Sequence, residues 1–456
     1  RALSLDPVNL YALHELYLAV KARGQSGRAQ EKALAQVLLN DPHYYIELAL
    51  HYLNAGLYED ASEVLKQIEE NEQSRDALTG YYYAFCQEGL GYSEEAAHLY
   101  GEAAQRPVDY CFPFRLEAIN VFQAALDANP EDARAHYFLG LVYGGLGEVD
   151  NAVAHWQQAV QLEPGNARAW RNLGLAHLNV SGDLGAAMRC YEKAFELLPT
   201  DSRILLELDK VRQARKESTA GRLAFLRKHQ EVVESRDDLL TSMLDLMVRE
   251  GEYEEALEHY LSHHFHNWEG GYSIHNAYME ANLGMARKAG TAADKLDCYL
   301  RACEYPPNLE FAPREPNLRG FLYYPMARLY QQLDDDHKAD SLLTVTAEET
   351  TAKPTLAGYY QALALRELGE GNEADRVLRE LEREGRRLLS GDRTGYERQS
   401  IDLAQALGHY YLSKVHEANG REREARRELD RATSRRPMIE REALIFAQVT
   451  YAGAHQ

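Results

Sequence analysis

The sequence is poor in the residues that build secreted, membrane-spanning or metal-stapled proteins. Its five cysteines (Cys86, Cys111, Cys190, Cys298 and Cys303) are odd in number and scattered through 456 residues, so they read as free buried thiols rather than a disulfide framework. Cys298 and Cys303 lie closest together, but a spacing of five on a helix puts them on poorly aligned faces, and a structural role is expected rather than a metal pair. No apolar run approaches the roughly 18 residues that a membrane-spanning helix needs. Positive charge is also short: 50 Lys and Arg against 71 Asp and Glu leave a net charge of −21, which repels phosphate and excludes a general nucleic-acid binder. The one Arg-rich stretch, Arg421 to Arg436, is interleaved with Glu422, Glu424, Glu428 and Asp430 at helical spacing, the pattern of a solvated helix face. No signal peptide opens the chain, and its visible residues read as cytoplasmic. Arg1 to Pro7 reads as the last turns of a helix, so the chain is expected to begin inside a longer protein, with any targeting signal upstream.

What is present is a repeat. From Ala133 to Pro199 the pattern His136, Leu139, Gly140, Trp156, Ala159, Pro164 returns as Trp170, Leu173, Gly174, Tyr191, Ala194, Pro199, displaced by 34 or 35 residues. That is the tetratricopeptide period, in which each helix-turn-helix unit cannot bury its apolar face alone and stacks on its neighbours. The expected fold is all-α, a right-handed superhelical solenoid of such units. Small residues (Gly140, Gly174, Ala159, Ala194) let helices approach, and large ones (Trp156, Trp170, Tyr191) fill the volume between pairs.

A second signature marks the turn inside each unit. Gly147-Glu148-Val149-Asp150-Asn151-Ala152 recurs as Gly56 to Ala61, Gly91 to Ala96 and Gly251 to Ala256, and more loosely as Gly369 to Ala374 and Gly420 to Ala425. Glycine supplies a left-handed backbone angle at the end of the first helix, and the carboxylates sit at the positive end of the next. About nine to eleven helical pairs are expected. By regularity the chain divides into repeats over 1–262 with an irregular insertion at 106–132, an irregular repeat over 263–319, and looser repeats over 320–456. A last helix, Glu440 to Ala452, is expected to cap the stack, and Gly385 to Thr394 reads as a further loop.

In a solenoid, departures from the period map to loops, where binding groups are placed. Three segments qualify. The first, Pro107 to Glu117, flanks Arg115 with Phe112 and Phe114. The second, His263 to Tyr272, gathers His266, Trp268, Glu269 and Tyr272, and the third, Glu304 to Phe311, contains Tyr305 between prolines. The second segment could build a metal site, an acid/base pair, a sugar platform with Trp268 stacking, or simply a packed turn in which Glu269 caps the following helix. Zinc would need a fourth ligand such as His275, so no metal and no cofactor are assigned. No catalytic residue is assigned either, because Glu269 has no visible carboxylate partner at a glycosidase spacing. The 30 tyrosines, against 11 phenylalanines, suit a half-buried groove in which the ring packs and the hydroxyl stays wet.

The strings DYCFPFRLEAINVFQAALDANPEDARAHYFLG (109–140), AWRNLGLAHLNVSGDLGAAMRCYEKAFELLPTDSRILLELDKV (169–211) and FHNWEGGYS (265–273) resemble the C-terminal half of large bacterial tetratricopeptide proteins. In that family the N-terminal half is a domain of unknown function similar to the β-sandwich of sugar mutarotases. The family loop reads Phe-His-Pro-Trp-Glu-Gly-Gly-Glu-Gly; here Asn267 replaces the proline, and Tyr272 and Ser273 replace the last two residues. The resemblance implies a carbohydrate-related setting, with the loops docking an upstream β-sandwich or completing its pocket. The function expected first is a non-catalytic scaffold that binds a protein or an adjoining domain through a concave groove. The alternative is a module of a carbohydrate-binding or glycan-processing enzyme. Neither nucleic acid nor membrane is an expected partner.

Overall fold

The computed structural model describes residues 2–108, 111–266, 273–310, 320–349, 354–392 and 400–444, and among these no strand occurs. The chain forms two compact units, Arg1–Glu217 and Ser218–Gln456. This is a division by packing, whereas the three-part division above is one of repeat regularity.

The first unit opens with α1 (Ala2–Leu5) and continues in pairs: α2 (Leu10–Ala22) with α3 (Arg28–Leu38), α4 (Pro42–Leu53) with α5 (Tyr58–Glu69), and α6 (Ala77–Gly89) with α7 (Ser93–Ala103). After a single helix, α8 (Glu117–Ala128), come α9 (Ala133–Gly145) with α10 (Val149–Leu162), then α11 (Ala167–Ala176) with α12 (Leu184–Leu197), and α13 (Ser202–Ala214). The second unit starts with α14 (Thr219–Arg227) and α15 (Gln230–Glu234). Its pairs are α16 (Asp237–Glu250) with α17 (Tyr253–Ser262), α18 (Ser273–Lys288) with α19 (Ala292–Ala302), and α20 (Gly320–Gln332) with α21 (Asp336–Ala347). It ends with α22 (Leu356–Glu367) on α23 (Gly371–Leu389) and α24 (Ile401–Ala418) on α25 (Glu422–Arg435). Ten pairs are thus present among the described residues, within the expected range.

The turn signature has the expected geometry. All six of its glycines, Gly56, Gly91, Gly147, Gly251, Gly369 and Gly420, have φ between 69° and 87°. The helices that follow them, α5, α7, α10, α17, α23 and α25, have no side-chain cap, and each carries an acidic residue in its first turn. Charge on the helix dipole thus stands in for the missing cap. First helices are capped differently: Asp132, Asn166 and Asp201, one period apart, accept backbone N–H bonds at the starts of α9, α11 and α13.

The size alternation is steric. A Cβ on Gly140 would overlap the Trp156 indole, and one on Gly174 would lie 2.8 Å from the Tyr191 ring. Trp170 departs from its expected role as filler. It is half-buried, and its indole N–H donates to Pro164 O at 3.0 Å, closing the preceding loop; one period earlier, His136 Nε2 lies 3.3 Å from Pro130 O. The drift from 34 to 35 residues also has a place: α11 runs into a π turn at His177–Ser181, which takes up the extra residue between Gly174 and Tyr191.

First helices of successive pairs pack on one another, α4 on α6 on α8 and α20 on α22 on α24, and second helices do so less. Within each unit the first helices therefore form the inner wall. Two expectations are corrected. The stretch 106–132 is irregular only in part, since α8 occupies Glu117–Ala128 and packs on α6 and α9. Gly385 lies inside α23 rather than opening a loop, because it faces Gly408 of α24 so closely that a Cβ there would meet Gly408 O at 3.0 Å. The four cysteines Cys86, Cys111, Cys190 and Cys298 are buried, Cys303 is half-buried, and all five are free thiols.

Candidate functional site

In the first unit the segment 111–117 climbs from the inter-pair loops onto the inner wall. Cys111 anchors it: the buried thiol lies 3.5 Å from the Asp76 carboxylate, which caps α6, and burial together with that carboxylate pushes the thiol up to about 12. Burial in turn raises the Asp76 carboxyl, against the hydrogen bonds it accepts from Thr79 and Cys111. Phe112, Phe114 and Leu116, at alternate positions, then face outward at 62%, 64% and 62% exposure. Arg115 turns the other way and forms an ion pair with Glu47 of α4, with its guanidinium carbon 5.0 Å from the Phe114 ring centre. A second bridge runs alongside, Asn54 of α4 to Glu117 of α8 at 2.9 Å. Both bridges reach from α4 to the start of α8, and the intervening α6 contributes the buried Tyr82, whose hydroxyl is raised by burial and by Glu117 and Glu47. Below Phe112 lies an open cleft of about 1030 Å³, floored by the loops at Leu39–His43, Glu72–Asp76 and Gln105–Pro107.

In the second unit the two other interruptions meet. Phe265 is fully buried and its N–H donates to Asn308 O at 2.8 Å, while the Asn308 side chain donates to Tyr260 O and His263 O, both at 2.7 Å. His264 pairs with Glu310 at 3.0 Å, and His275 stacks on Tyr305 with ring centres 4.0 Å apart. Asp237, at the start of α16, holds the near side. It accepts from His263 Nε2 at 2.8 Å and from His266 N and Nδ1 at 2.8 and 3.0 Å. Burial works against its charge, but these hydrogen bonds hold its carboxyl below the usual range. Of the residues singled out in sequence, His266 and Tyr305 are therefore parts of one joined loop cluster. Trp268, Glu269 and Tyr272 lie outside the described residues. Among the described residues no group of three His, Cys, Asp or Glu is arranged to hold a metal ion, and no helix is long and apolar enough to cross a membrane.

Sequence reasoning missed the half-buried carboxylates of the inner wall. Asp245 of α16 and Glu280 of α18 are 35 residues apart, one repeat, so they occupy equivalent places on successive first helices. That recurrence of an acid at a core-side position was the available signal.

Residues 115–144 match the family described as Tetratricopeptide repeat, and residues 145–181 the one described as TPR repeat. The chain carries tetratricopeptide repeats. With its helical pairs and absence of strands among the described residues, it is an all-α tetratricopeptide solenoid. The human Superkiller complex protein 3 is similar, 28% identical over 168 residues that make up 36% of this chain and 9% of that protein. The human Protein O-mannosyl-transferase TMTC1 is 27% identical over 173 residues, 34% of this chain and 19% of that one. The matched region thus spans less than a fifth of either relative. Among solved structures, YrrB, described as a TPR protein with an unusual peptide-binding site, aligns over 49% of this chain and 89% of its own, at 17% identity and a TM-score of 0.27.

Proposed function

We propose that this tetratricopeptide array is a non-catalytic scaffold that binds a protein chain, or an adjoining domain of its own protein, along the inner walls of its units. The observation that carries the reading is the segment 111–117. Phe112, Phe114 and Leu116 stand exposed on a backbone held in place by Cys111 and Arg115, beside an open cleft. Rigidly presented aromatic side chains beside an arginine are the composition of a protein-binding hot spot. The resemblance to the C-terminal halves of larger bacterial proteins supports an adjoining domain as one such partner.

A photo-reactive phenylalanine analogue placed at Phe114 in the full chain tests this in the source cell. Discrete adducts are expected there, absent when the analogue replaces Leu162, an exposed residue at the end of a second helix. Absence of discrete adducts at Phe114, or the same adducts from both positions, overturns the reading.

A further inference from the structure

The helix expected over 440–452 as an end cap is described as far as residue 444. Residues 439–444, its described part, are helical and lie along the inner wall of the second unit. Ile439 and Ala443, one turn apart, are buried at 1% and 0% exposure in the core that Leu356 of α22 and Leu407 and Tyr410 of α24 build. Arg441, on the opposite face of the same turn, reaches the other side of the groove. Its Nη2 donates to Asp245 of α16, and its Nε lies 2.8 Å from Glu280 of α18. The three side chains are only 12%, 26% and 15% exposed. Arg436 grips Glu442 and fixes the turn that brings the chain back from α25.

The seat is built for a guanidinium. Two carboxylates from consecutive first helices converge on one planar cation, which presents several N–H donors to them. Asp245 has a second cation, Arg249, at 2.9 Å, whereas among the described residues Arg441 is the cation paired with Glu280. Yet the fit is incomplete. Arg441 Nη1 and Nε are both buried without a hydrogen-bond partner among the described residues, so the 2.8 Å approach of Nε to Glu280 is an ion pair rather than an aligned hydrogen bond. A cavity of about 340 Å³ also remains between the segment and the wall, lined by Tyr253, Leu283, Tyr299 and Phe321.

We infer that the inner wall of the second unit is a groove for an arginine-bearing amphipathic helical peptide, with Asp245 and Glu280 as the arginine seat, and that residues 437–444 occupy it in cis until such a peptide displaces them. The inference deepens the scaffold reading and rests on it. Its ligand class is read from the occupant: apolar side chains at i and i+4 face one wall, and an arginine at i+2 faces the other. A peptide whose apolar side chains fill the cavity gains over residues 437–444 by burying more surface on the same wall.

The test uses the wild-type full chain and a capped peptide, Pro-Met-Ile-Glu-Arg-Glu-Ala-Leu, with hydrogen exchange read by mass spectrometry. Millimolar peptide is expected to strip protection from 437–444 while α16 and α18 stay protected, and the same peptide with alanine for arginine to do neither. In Arg441→Ala the half-maximal peptide concentration should fall at least tenfold. In Asp245→Asn/Glu280→Gln it should rise at least tenfold. Unchanged exchange in the wild-type chain, or equal action by the alanine peptide, overturns the inference even if the variants unfold. Protection at 437–444 that falls as the chain itself is concentrated would assign the groove to a second copy, and overturns it too. Adducts at Phe114 are independent of this seat, so failure here alone leaves the scaffold reading standing.

Discussion

A single Cβ decides how closely two helices of this array can lie. At Gly140 it would collide with the Trp156 indole, whereas at Gly147 it would meet nothing within 4 Å and would pay only for a φ of 78°. Gly140→Ala is therefore expected to destabilise by about 1–3 kcal/mol through overpacking. Gly147→Ala should cost about 1–2 kcal/mol through backbone strain. In paired thermal melts the first should also disturb the Trp156 fluorescence. The carboxyl of Glu280 is a second residue-scale test. Burial raises it to about 7 from 4.5, with Arg441 opposing and Asp245 adding to the rise. A raised carboxyl contributes stability that is fully present below pH 4.5 and is lost as pH rises through about 7. Melting temperature should therefore fall between pH 5 and 8, and Glu280→Gln should flatten that fall; an unchanged slope would contradict this. At this scale the sequence was legible where chemistry is local. The turn glycines and the Gly140–Trp156 and Gly174–Tyr191 pairs follow from the period. Arg441 was not, because its partners lie 161 and 196 positions away and no spacing rule connects them.

Among elements, the loops that interrupt the period divide into those that hold themselves and those held by a helix. The stretch 263–266 is of the second kind, tied to the first residue of α16 by three hydrogen bonds to Asp237. Because these bonds lower its carboxyl, Asp237 anchors the loop above pH 3.8 and releases it as the pH falls through the depressed value. Asp237→Asn should imitate that release at neutral pH. Loss of one such bond, worth about 1.4 kcal/mol, speeds exchange of the His266 amide about tenfold, and unchanged exchange would show that Asn308 suffices. The existence of most helices could be read from the sequence. That the second and third breaks meet could not, since Phe265 and Asn308 are joined by a backbone hydrogen bond that leaves no trace in composition. Gly385 was misread for a related reason: a glycine at a helix end and one at a helix crossing look alike until the partner, Gly408, is known.

For the molecule as a whole, the second unit differs from an ordinary repeat array, in which each pair depends on its neighbours alone. Arg441 ties its last described residues to α16. Arg441 is half-buried between two half-buried carboxylates, and removing it leaves them without that cation, so Arg441→Ala should lower the melting temperature. Arg441→Ala/Glu280→Gln should cost little more than Arg441→Ala alone, because Arg441 is what opposes the rise of the Glu280 carboxyl and without it that carboxyl is protonated at neutral pH, and strict additivity of the two changes would show that the residues are not coupled. The same tie sets an order in time. Contacts within each helical pair form as soon as that pair is made, but the bond from Asp245 to Arg441 closes a loop of 196 residues. At about 5–20 residues per second of synthesis, the seat completed by Glu280 waits on the order of 8–32 s for Arg441, 161 residues further on. For that interval every newly made copy presents an open arginine seat, and a peptide that arrives then competes with no one.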